Sequence, residues 1–406
     1  MTERIDANLL LPGKGEPVEN GSVVMDGGGI VYAGPTSAAP PADSVTEVAT
    51  VLPGLWECHG HFTGLTKPDL EVLTKEPMAL LAARATTDVR ATLMAGFTSV
   101  REVGGLGIHI RHAVDEGRLE GPHIYSAGSI LSMTGGHVDV HGLPLDWILH
   151  LSDNESLGVL CDGVPECLRA VRRQLRKGAK VIKVCASGGV ASELDHPVHQ
   201  QFSDEELRAI VEEATRADVA VAAHCHGKPG IMAALRAGVT TIEHGSYLDE
   251  EAAELMKETG AVLVPTRFIV AELLGMEAQL PAYIYRKAVA IADQHAQALK
   301  LAVAADVTIA TGADIFISGP LSGTNSREVR HLVDAGMTPL EAIEAATANG
   351  PLTLGPQAPR SGRLSEGYDA DVIAMDGNPL EDLDIWGNPD RVTHIWTRGA
   401  AVKEPR

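Results

Sequence analysis

The chain has 406 residues, 45% of them hydrophobic, and a formal net charge of −21. This length and composition fit a soluble protein with one large domain and a smaller one. The negative charge argues against a nucleic-acid or anionic-membrane partner, because both need a basic face. We see no secretory signal and no apolar run of about 18 residues, so we expect a cytoplasmic location.

Both ends of the chain are predicted to be rich in short β-strands. Apolar runs at residues 8–11, 22–25 and 30–33, and again at 370–375, 392–396 and 400–402, are separated by Gly and Pro turns. We predict that residues 1–52 and 357–406 pair into one small β-sandwich domain. Residues 53–356 would then be inserted between them.

The middle of the chain alternates predicted strands and helices, a pattern typical of parallel sheets with crossover helices. Eight strands are predicted at residues 51–59, 98–103, 124–129, 180–185, 219–224, 241–244, 261–265 and 307–311. Helices are predicted at residues 79–95, 166–177, 204–218, 231–237, 249–259, 283–304 and 340–349. The pattern favours a (β/α)8 TIM-like barrel within an α/β fold. An open doubly wound sheet is the alternative, but no Gly-x-Gly-x-x-Gly follows a strand.

Five cysteines are spaced irregularly along the chain, at positions 58, 161, 167, 185 and 225. An odd number without regular spacing argues against a disulfide framework and fits a reducing compartment. Three of them adjoin candidate site residues. Small buried side chains on core strands are a commoner role for such thiols than metal ligation, so we expect packing.

Chemically active side chains fall near the carboxyl ends of the predicted strands, where the active site of a (β/α)8 barrel lies. They are His59 and His61 after strand one, Lys183 in strand four, His224 in strand five, His244 in strand six and Asp314 after strand eight. A lone buried histidine is more often a hydrogen-bonded core residue than a ligand. Six such groups at one rim favour a metal site.

Lys183 is the least ordinary of these residues, because it stands inside the apolar strand Val181-Ile182-Lys183-Val184-Cys185. Burying an unpaired ammonium is costly, so the lysine needs a carboxylate partner, a lowered pKa or a chemical change. Carbamylation by CO2 would turn it into an anion with two oxygens. Four histidines, an aspartate and a bridging carbamate supply what a two-metal hydrolytic site needs.

The chain resembles the amidohydrolase superfamily of metal-dependent hydrolases, in the branch of Xaa-Pro dipeptidases (prolidases), Arg/Lys-type carboxypeptidases and ochratoxin-hydrolysing amidases. The resemblance extends over essentially the whole chain. It is carried by Leu-Pro-Gly-Leu-Trp-Glu-Cys-His-Gly-His (52–61), Ser-Met-Thr-Gly-Gly-His (132–137), Ile-Lys-Val-Cys-Ala-Ser-Gly-Gly-Val (182–190), Ala-Ala-His-Cys-His-Gly (222–227), Thr-Ile-Glu-His-Gly (241–245), Thr-Gly-Ala-Asp (311–314), Gly-Tyr-Asp-Ala-Asp-Val (367–372) and Gly-Asn-Pro-Leu-Glu-Asp (377–382).

The resemblance implies two divalent ions and assigns their ligands by position. One metal would be bound by His59, His61 and Asp314, the other by His224 and His244, with carbamylated Lys183 between them. The histidines suit Zn²⁺, and Co, Mn and Ni remain open. The chain departs from its relatives at Glu57, where an aspartate commonly stands, and after Gly-Gly-His137, where Val138-Asp139 replaces a third glycine.

The predicted reaction is the hydrolysis of an amide by a hydroxide that bridges the two metals. Asp314 would act as general base, and His137 would donate a hydrogen bond to the developing oxyanion. Arg267 and Tyr247 are candidates for binding a substrate carboxylate. His141 and His226 are further candidates for lining the pocket.

The substrate is predicted to be a small molecule with an amide next to a free carboxylate. An N-acyl amino acid, an Xaa-Pro dipeptide and an ochratoxin-type amide all fit this description. Hydrolysis of ureas, carbamates or cyclic amides is the alternative, and it gains support if Arg267 and Tyr247 point away from the metals. A non-catalytic metal-binding protein is a further alternative. Resemblance alone implies a homo-oligomer, such as an octamer.

Overall fold

The computed structural model describes residues 2–153 and 157–405. Within them the strands are β1 Thr2–Leu10, β2 Val18–Asp26, β3 Gly29–Pro35, β4 Ser44–Pro53, β5 Leu55–Gly60, β6 Phe97–Glu102, β7 His123–Ser126, β8 Ile130–Ser132, β9 Gly158–Leu160, β10 Val181–Cys185, β11 Ala220–Cys225, β12 Thr241–His244, β13 Val262–Val264, β14 Val372–Met375, β15 Val392–Thr397 and β16 Ala400–Lys403.

The helices alternate with the central strands. They are α1 Val72–Lys75, α2 Met78–Met94, α3 Gly107–Asp115, α4 Leu145–Asp153, α5 Val164–Arg176, α6 Asp204–Thr215, α7 Lys228–Ala237, α8 Glu250–Thr259, α9 Arg267–Leu274, α10 Ala282–Ala304, α11 Arg327–Asp334 and α12 Pro339–Ala346. Reciprocal capping boxes begin α6, at Ser203 and Glu206, and α12, at Thr338 and Glu341. These side chains satisfy backbone N–H groups that lack a partner within the helix.

Strands from the two ends of the chain belong to one sheet. Its order is β16-β15-β14-β4-β1-β2-β3. The junction is the antiparallel pairing of β4 with β14, while β1 lies parallel to β4 on the other side. Ile5, Val23, Val51, Val372 and Trp396 pack into an apolar cluster on this sheet. The alternating apolar residues at both ends of the chain therefore serve a common core.

The central strands form parallel sheets, which confirms the predicted α/β class. One contains β5-β6-β7, and the other runs β13-β12-β11-β10-β8-β9. Because these neighbours are parallel, their carboxyl ends lie along one edge of each sheet. Backbone hydrogen bonds at Lys180 N–Ser126 O (2.9 Å) and Cys58 N–Thr311 O (2.9 Å) connect neighbouring segments of this region.

Three predicted strands differ from those observed. The segment 51–59 is divided at Gly54, so that β4 ends in the terminal sheet before β5 begins. In the segment 124–129 only residues 124–126 are strand, in β7; a turn in which Gly128 has a φ of 71° follows, and β8 begins after it at Ile130. In the segment 307–311, Ile309 forms an isolated parallel bridge with Leu263. Short apolar runs do not by themselves reveal such interruptions.

The five cysteines are all buried and free, as expected from their irregular spacing. Cys58, Cys185 and Cys225 lie on β5, β10 and β11 with at most 1% of their surface exposed. Burial raises the pKa of Cys58 and of Cys185 to about 12, so both thiols stay protonated near neutral pH. They therefore act as small core side chains.

None of the helices in the described residues is both long enough and apolar enough to cross a membrane.

Candidate metal centre

A cavity opens where the central strands end. Its polar lining consists of His59, His61, His137, Lys183, His224, His226, His244 and Asp314. Its other lining residues are Ile130, Cys185, Val190, Ala191, Ile269, Val270, Leu273, Ile284 and Phe316. The residues predicted as metal ligands, which lie up to 255 positions apart, are therefore brought into one cavity.

Asp314 stands beside both histidines that end β5. Its Oδ1 lies 3.3 Å from Nε2 of His61 and 3.7 Å from Nε2 of His59. The backbone N–H of Asp314 donates to the carbonyl oxygen of His59 at 3.1 Å, which couples the two segments. Two imidazoles and one carboxylate thus converge on a single point.

Two overlapping groups of side chains have the spacing of metal ligands. In one, the ligand atoms of His224, His226 and His244 lie within 4.8 Å of one another; in the other, those of His59, His244 and Asp314 do. His244 belongs to both groups and joins the two halves of the cavity. His226, predicted as a pocket residue, stands among the candidate ligands.

One ring nitrogen of each candidate histidine ligand forms a hydrogen bond with the protein, and the other ring nitrogen is available to a metal. The held atoms are His59 Nδ1 by Glu243 (2.7 Å), His61 Nδ1 by Gly104 O (2.6 Å), His224 Nε2 by Gly188 O (3.2 Å), His226 Nδ1 by Ser246 Oγ (2.7 Å) and His244 Nδ1 by Thr266 Oγ1 (2.7 Å). Metal-bound histidines are oriented in this way, so the donor set fits divalent metal ions.

Lys183 projects from β10 into this ring of imidazoles. It is 2% exposed, and its Nζ lies 3.5 Å from Nε2 of His59. Among the described residues no carboxylate forms a salt bridge with it, and burial lowers its pKa below the ordinary value. A buried amine with imidazole neighbours suits conversion to a carbamate better than it suits a permanent ammonium.

The pair Arg101 and Glu243 orients His59 from behind, and neither was identified from the sequence. The Arg101 guanidinium bonds both carboxylate oxygens of Glu243 at 2.7 Å, and both side chains are fully buried. Although burial raises the pKa of Glu243, Arg101 and the bond to His59 outweigh it and hold that pKa well below its usual value. Glu243 is therefore an anion that fixes the Nδ1 proton of His59.

Replacing Glu243 by Gln is expected to lower the free energy of unfolding by about 3–5 kcal/mol, because Arg101 would be left as an uncompensated buried charge. The measurement is urea denaturation of the purified chain. The exposed Glu258 on α8 provides the control, and Glu258→Gln should change stability by less than about 0.5 kcal/mol. A loss below about 1 kcal/mol for Glu243→Gln would show that Arg101 finds another partner.

Glu57, the departure from the relatives noted above, has a structural role. Its carboxylate accepts hydrogen bonds from the backbone of His59 (2.8 Å) and Ala313 (3.0 Å) and from Asn325 Nδ2 (2.7 Å). It therefore ties the strand that carries His59 to the loop that carries Asp314. A glutamate inside an otherwise apolar strand was the sequence signal for such a role.

Comparison with known proteins places the chain in a family. The model of the amidohydrolase family matches residues 50–402. The chain belongs to the amidohydrolase family. It is therefore an enzyme, a hydrolase acting on amide bonds, and the alternative of a non-catalytic metal-binding protein is set aside. Proteins of this family are typically metal-dependent, in agreement with the histidine cluster.

Named relatives of this amidohydrolase resemble it along its whole length. Ochratoxinase of Aspergillus niger is 44% identical over 99% of this chain and 86% of its own. The crystal structure of that enzyme superimposes with a TM-score of 0.93, at 42% identity over 100% of this chain and 96% of its own. A prolidase crystallised with N-methylphosphonate-L-proline gives 0.91 at 34% identity, covering 100% of both chains.

Two residues predicted to bind a substrate carboxylate do not line the cavity of this amidohydrolase. Arg267 begins α9, and its Nη1 donates to the carbonyl oxygen of Ala292 on α10 at 3.2 Å. Tyr247 packs against the apolar cluster that includes Val190 and Ile269. The prediction followed from their positions after strand ends, which do not determine where a long side chain points.

His141 lies outside the metal cavity as well. It lines a neighbouring polar pocket together with Asp139, Glu193 and Tyr283. Its Nδ1 accepts a hydrogen bond from the backbone N–H of Leu194 at 3.3 Å. His137 and Ala191 are lining residues of both spaces. His141 is therefore placed at an approach to the cavity of this amidohydrolase.

His137 lies directly beside the candidate ligands. Its ring stacks on His224 with centroids 4.2 Å apart, and its Nδ1 lies 2.9 Å from Ser192 Oγ. Burial lowers the pKa of His137 to about 4. The ring rests on Gly189, where a Cβ would come within 2.0 Å of it, so only glycine leaves room at this position.

Gly189→Ala is expected to lower kcat/KM by about 10²-fold, because the new methyl group must displace the His137 ring from the cavity. Metal content should not change, since no candidate ligand is touched. Gly28→Ala is the matched control: its Cβ would meet nothing closer than 3.7 Å in a turn of the terminal sheet. Unchanged kinetics for Gly189→Ala would show that the position of His137 is unimportant.

Proposed function

We propose that this chain is a binuclear metal-dependent amidohydrolase that cleaves an amide next to a free carboxylate. Candidate substrates are N-acyl amino acids, Xaa-Pro dipeptides and ochratoxin-type amides. The observation that carries the proposal is the gathering of His59, His61 and Asp314, with Lys183, His224 and His244, around one cavity. The ochratoxinase and prolidase relatives support this substrate class.

The ligand assignment follows the resemblance to the amidohydrolases, and the two overlapping groups support it in placing Asp314 with His59 and His224 with His244. We assign one ion to His59, His61 and Asp314, the other to His224 and His244, and a bridging role to carbamylated Lys183. Zn²⁺ suits the histidine-rich set, with Co, Mn and Ni as alternatives. When bound, the ions would polarise the amide carbonyl and lower the pKa of water.

Asp314 is placed to move the proton that hydrolysis requires. We propose that its carboxylate accepts a proton from the attacking water and delivers it to the leaving nitrogen. His59 and His61 hold its Oδ1 within 3.7 Å, and they lower the pKa of Asp314 in spite of the effect of burial. The carboxylate is therefore ionised and ready to accept the proton near neutral pH.

The apolar wall of the cavity would receive the side of the substrate remote from the amide. Ile269, Val270 and Leu273 come from α9, and Phe316 adds an aromatic ring. Such a wall excludes water and contributes about 25 cal/mol for each Å² of apolar surface that it buries. An apolar acyl group or a bulky amino-acid side chain suits this wall.

A second candidate function is hydrolysis of ureas, carbamates or cyclic amides. The observation that favours it is that Arg267 and Tyr247 do not line the cavity, which removes the two residues predicted to bind a carboxylate. Among the described lining residues Lys183 is the only lysine or arginine, and in this proposal it is carbamylated. A neutral substrate would need no cationic partner.

The surrounding architecture is part of the same proposal. We propose that residues 53–356 form a (β/α)8 barrel whose eight strands are β5, β6, the interrupted strand β7 and β8, β10, β11, β12, β13 and the segment around Ile309, supported by the hydrogen bond from Cys58 N to Thr311 O. Residues 1–52 and 357–406 would form the small β-sandwich domain. We further propose a cytoplasmic homo-oligomer that acts on small molecules.

Metal analysis together with a substrate screen tests the proposal. The purified enzyme should hydrolyse members of a panel of N-acyl amino acids, Xaa-Pro dipeptides and ochratoxin-type amides, and lose this activity on chelation. Phenylureas, carbamates and cyclic amides form the second panel. Turnover of the second panel alone would favour the second candidate function, and turnover of neither panel would overturn both.

A further inference from the structure

The metal cavity is small for the substrates proposed above. It encloses about 90 Å³, whereas cavities that bind small molecules usually measure about 300–1,000 Å³. The candidate ligands line one part of this space, and the amide has to lie beside them. A bulky acyl group therefore needs further room outside the metal cavity.

A second cavity, of about 780 Å³, lies among loops that adjoin the metal cavity. Its walls come from residues 66–69, which follow β5, from residues 272–281, at the end of α9 and before α10, and from residues 317–321, which follow Asp314. Each wall contributes a proline to the lining, namely Pro68, Pro281 and Pro320. Because the proline ring fixes φ, these residues stiffen the three walls.

The two cavities adjoin each other. Leu273 and Ile284, which line the metal cavity, belong to one apolar cluster with Leu280, which lines the second cavity. Phe316 from the metal cavity and Met276 from the second cavity pack against the same cluster. The boundary between the cavities therefore consists of apolar side chains. Such side chains change rotamer rapidly, and a thioether adapts its shape especially well.

The walls of the second cavity are fixed where they meet. The backbone N–H of Ser318 donates to the carbonyl oxygen of Leu65 at 2.6 Å, which joins the loop after β5 to residues 317–321. The carboxylate of Asp88 on α2 accepts hydrogen bonds from Ser318 Oγ and from Ser322 Oγ, the latter at 2.7 Å. The cavity is therefore preformed, and a ligand does not have to order these loops on binding.

The charges of the second cavity favour an uncharged ligand. Glu272 forms a salt bridge with Arg327 at 2.9 Å. Lys67 and Asp69 are the other charged residues among the described lining residues, and their opposite charges offset each other. The remaining lining residues are mainly aliphatic side chains and prolines. A neutral apolar group can therefore bury its surface here without the desolvation of a charge.

We propose that the second cavity binds the acyl group of the substrate, and that the enzyme prefers amides of extended apolar carboxylic acids to acetyl amides. The reacting amide lies at the candidate ligands, and rotation of the Leu280 and Phe316 side chains lets the acyl chain pass into the second cavity. The inference rests on the proposed amide hydrolysis and adds the class of acyl group, which that function leaves open.

The test compares N-octanoyl-L-phenylalanine with N-acetyl-L-phenylalanine on the metal-loaded full-length enzyme. Burial of one methylene group corresponds to about fourfold in affinity, so the six extra methylene groups should raise kcat/KM by at least about 100-fold. Ala278 is exposed at the second cavity, in the 3-10 turn Glu277–Gln279. Ala278→Trp fills part of the cavity and should lower the octanoyl-to-acetyl ratio of kcat/KM by at least about tenfold.

Ala38→Trp is the matched control, because Ala38 is also exposed in a 3-10 turn, Thr36–Ala38, and lines neither cavity. It should leave the ratio unchanged. Thr66→Trp narrows the second cavity from another wall and should lower the ratio as Ala278→Trp does. Binding of octanoate, measured by titration calorimetry, gives a readout without turnover: its Kd should rise by at least about tenfold in Ala278→Trp and in Thr66→Trp.

A wild-type ratio near one, or an unchanged ratio in both Ala278→Trp and Thr66→Trp, would overturn the inference. So would an octanoate Kd that is the same in the wild type and in both of these variants. Hydrolysis of neither phenylalanine amide, nor of any other amide in the panel, would instead overturn the proposed function.

Discussion

Asp314→Asn is expected to reduce kcat by about 10²–10⁴-fold while the protein keeps most of its metal, because the amide retains an oxygen ligand but loses the proton acceptor. Asparagine is also the replacement that the backbone tolerates best. Asp314 has a φ of 58°, in the left-handed region where Asn and Asp are enriched among non-glycine residues. A loss of turnover is then not attributable to a strained backbone.

Asp306→Asn is the matched control for this variant. Asp306 also has a left-handed φ, 55°, but it is exposed beyond the end of α10 and does not line the cavity. Its replacement should leave kcat and metal content unchanged. Near-normal turnover in Asp314→Asn would contradict the general-base assignment, and loss of metal in this variant would show that the charge of Asp314 matters chiefly for ligation.

Lys183→Ala is expected to weaken metal retention by at least about 10²-fold and to lower turnover in parallel, because a bridging ligand would be lost. Short carboxylates such as acetate or propionate should partly restore both properties by occupying the vacated space. The measurement pairs metal content after gel filtration with hydrolysis rate at increasing carboxylate concentration.

Lys180→Ala is the control, since Lys180 precedes the same strand but is exposed, with its Nζ 3.2 Å from Gln357 Oε1. It should bind metal and turn over substrate like the wild type. Unchanged metal stoichiometry in Lys183→Ala would refute the bridging role. Loss of metal without any rescue by carboxylates would indicate that the cavity itself collapses without the lysine side chain.

Strand alternation and the ends of parallel strands were enough to predict which residues meet in the cavity. His59, His224 and His244 each stand at or next to the end of a strand in apolar surroundings. Parallel neighbours bring such ends to one edge whatever their separation in sequence. The argument needs no knowledge of side-chain conformations, which is why it worked for the candidate ligands.

The partners behind the ligands were not predictable in the same way. Glu243 and Arg101 lie 142 positions apart, and their pairing depends on which strands are neighbours and on the length of two side chains. Arg267 shows the opposite failure. It follows a strand end as expected, yet the first turn of α9 directs its guanidinium towards α10. A position at the end of a strand therefore predicts that a short side chain lies at the cavity more reliably than it does for a long side chain.

The interruptions of the strands were also not predicted from the sequence. Gly54 lies between β4 and β5, and only glycine fits there because a Cβ would meet Thr98 Oγ1 at 2.0 Å, a contact between segments 44 positions apart. In the predicted eighth strand, residues 307–311, Ile309 forms an isolated β-bridge with Leu263. Hydrophobic runs indicate that such segments are buried, whereas the contacts that interrupt them are set by the tertiary structure.

The metal content of the purified enzyme, measured together with hydrolysis of N-acetyl-L-phenylalanine, tests the central claim most directly. The proposed centre predicts about two divalent ions per chain, removed by a chelator together with the activity and restored with it by added Zn²⁺. Full activity in a chain freed of metal would contradict the proposed centre.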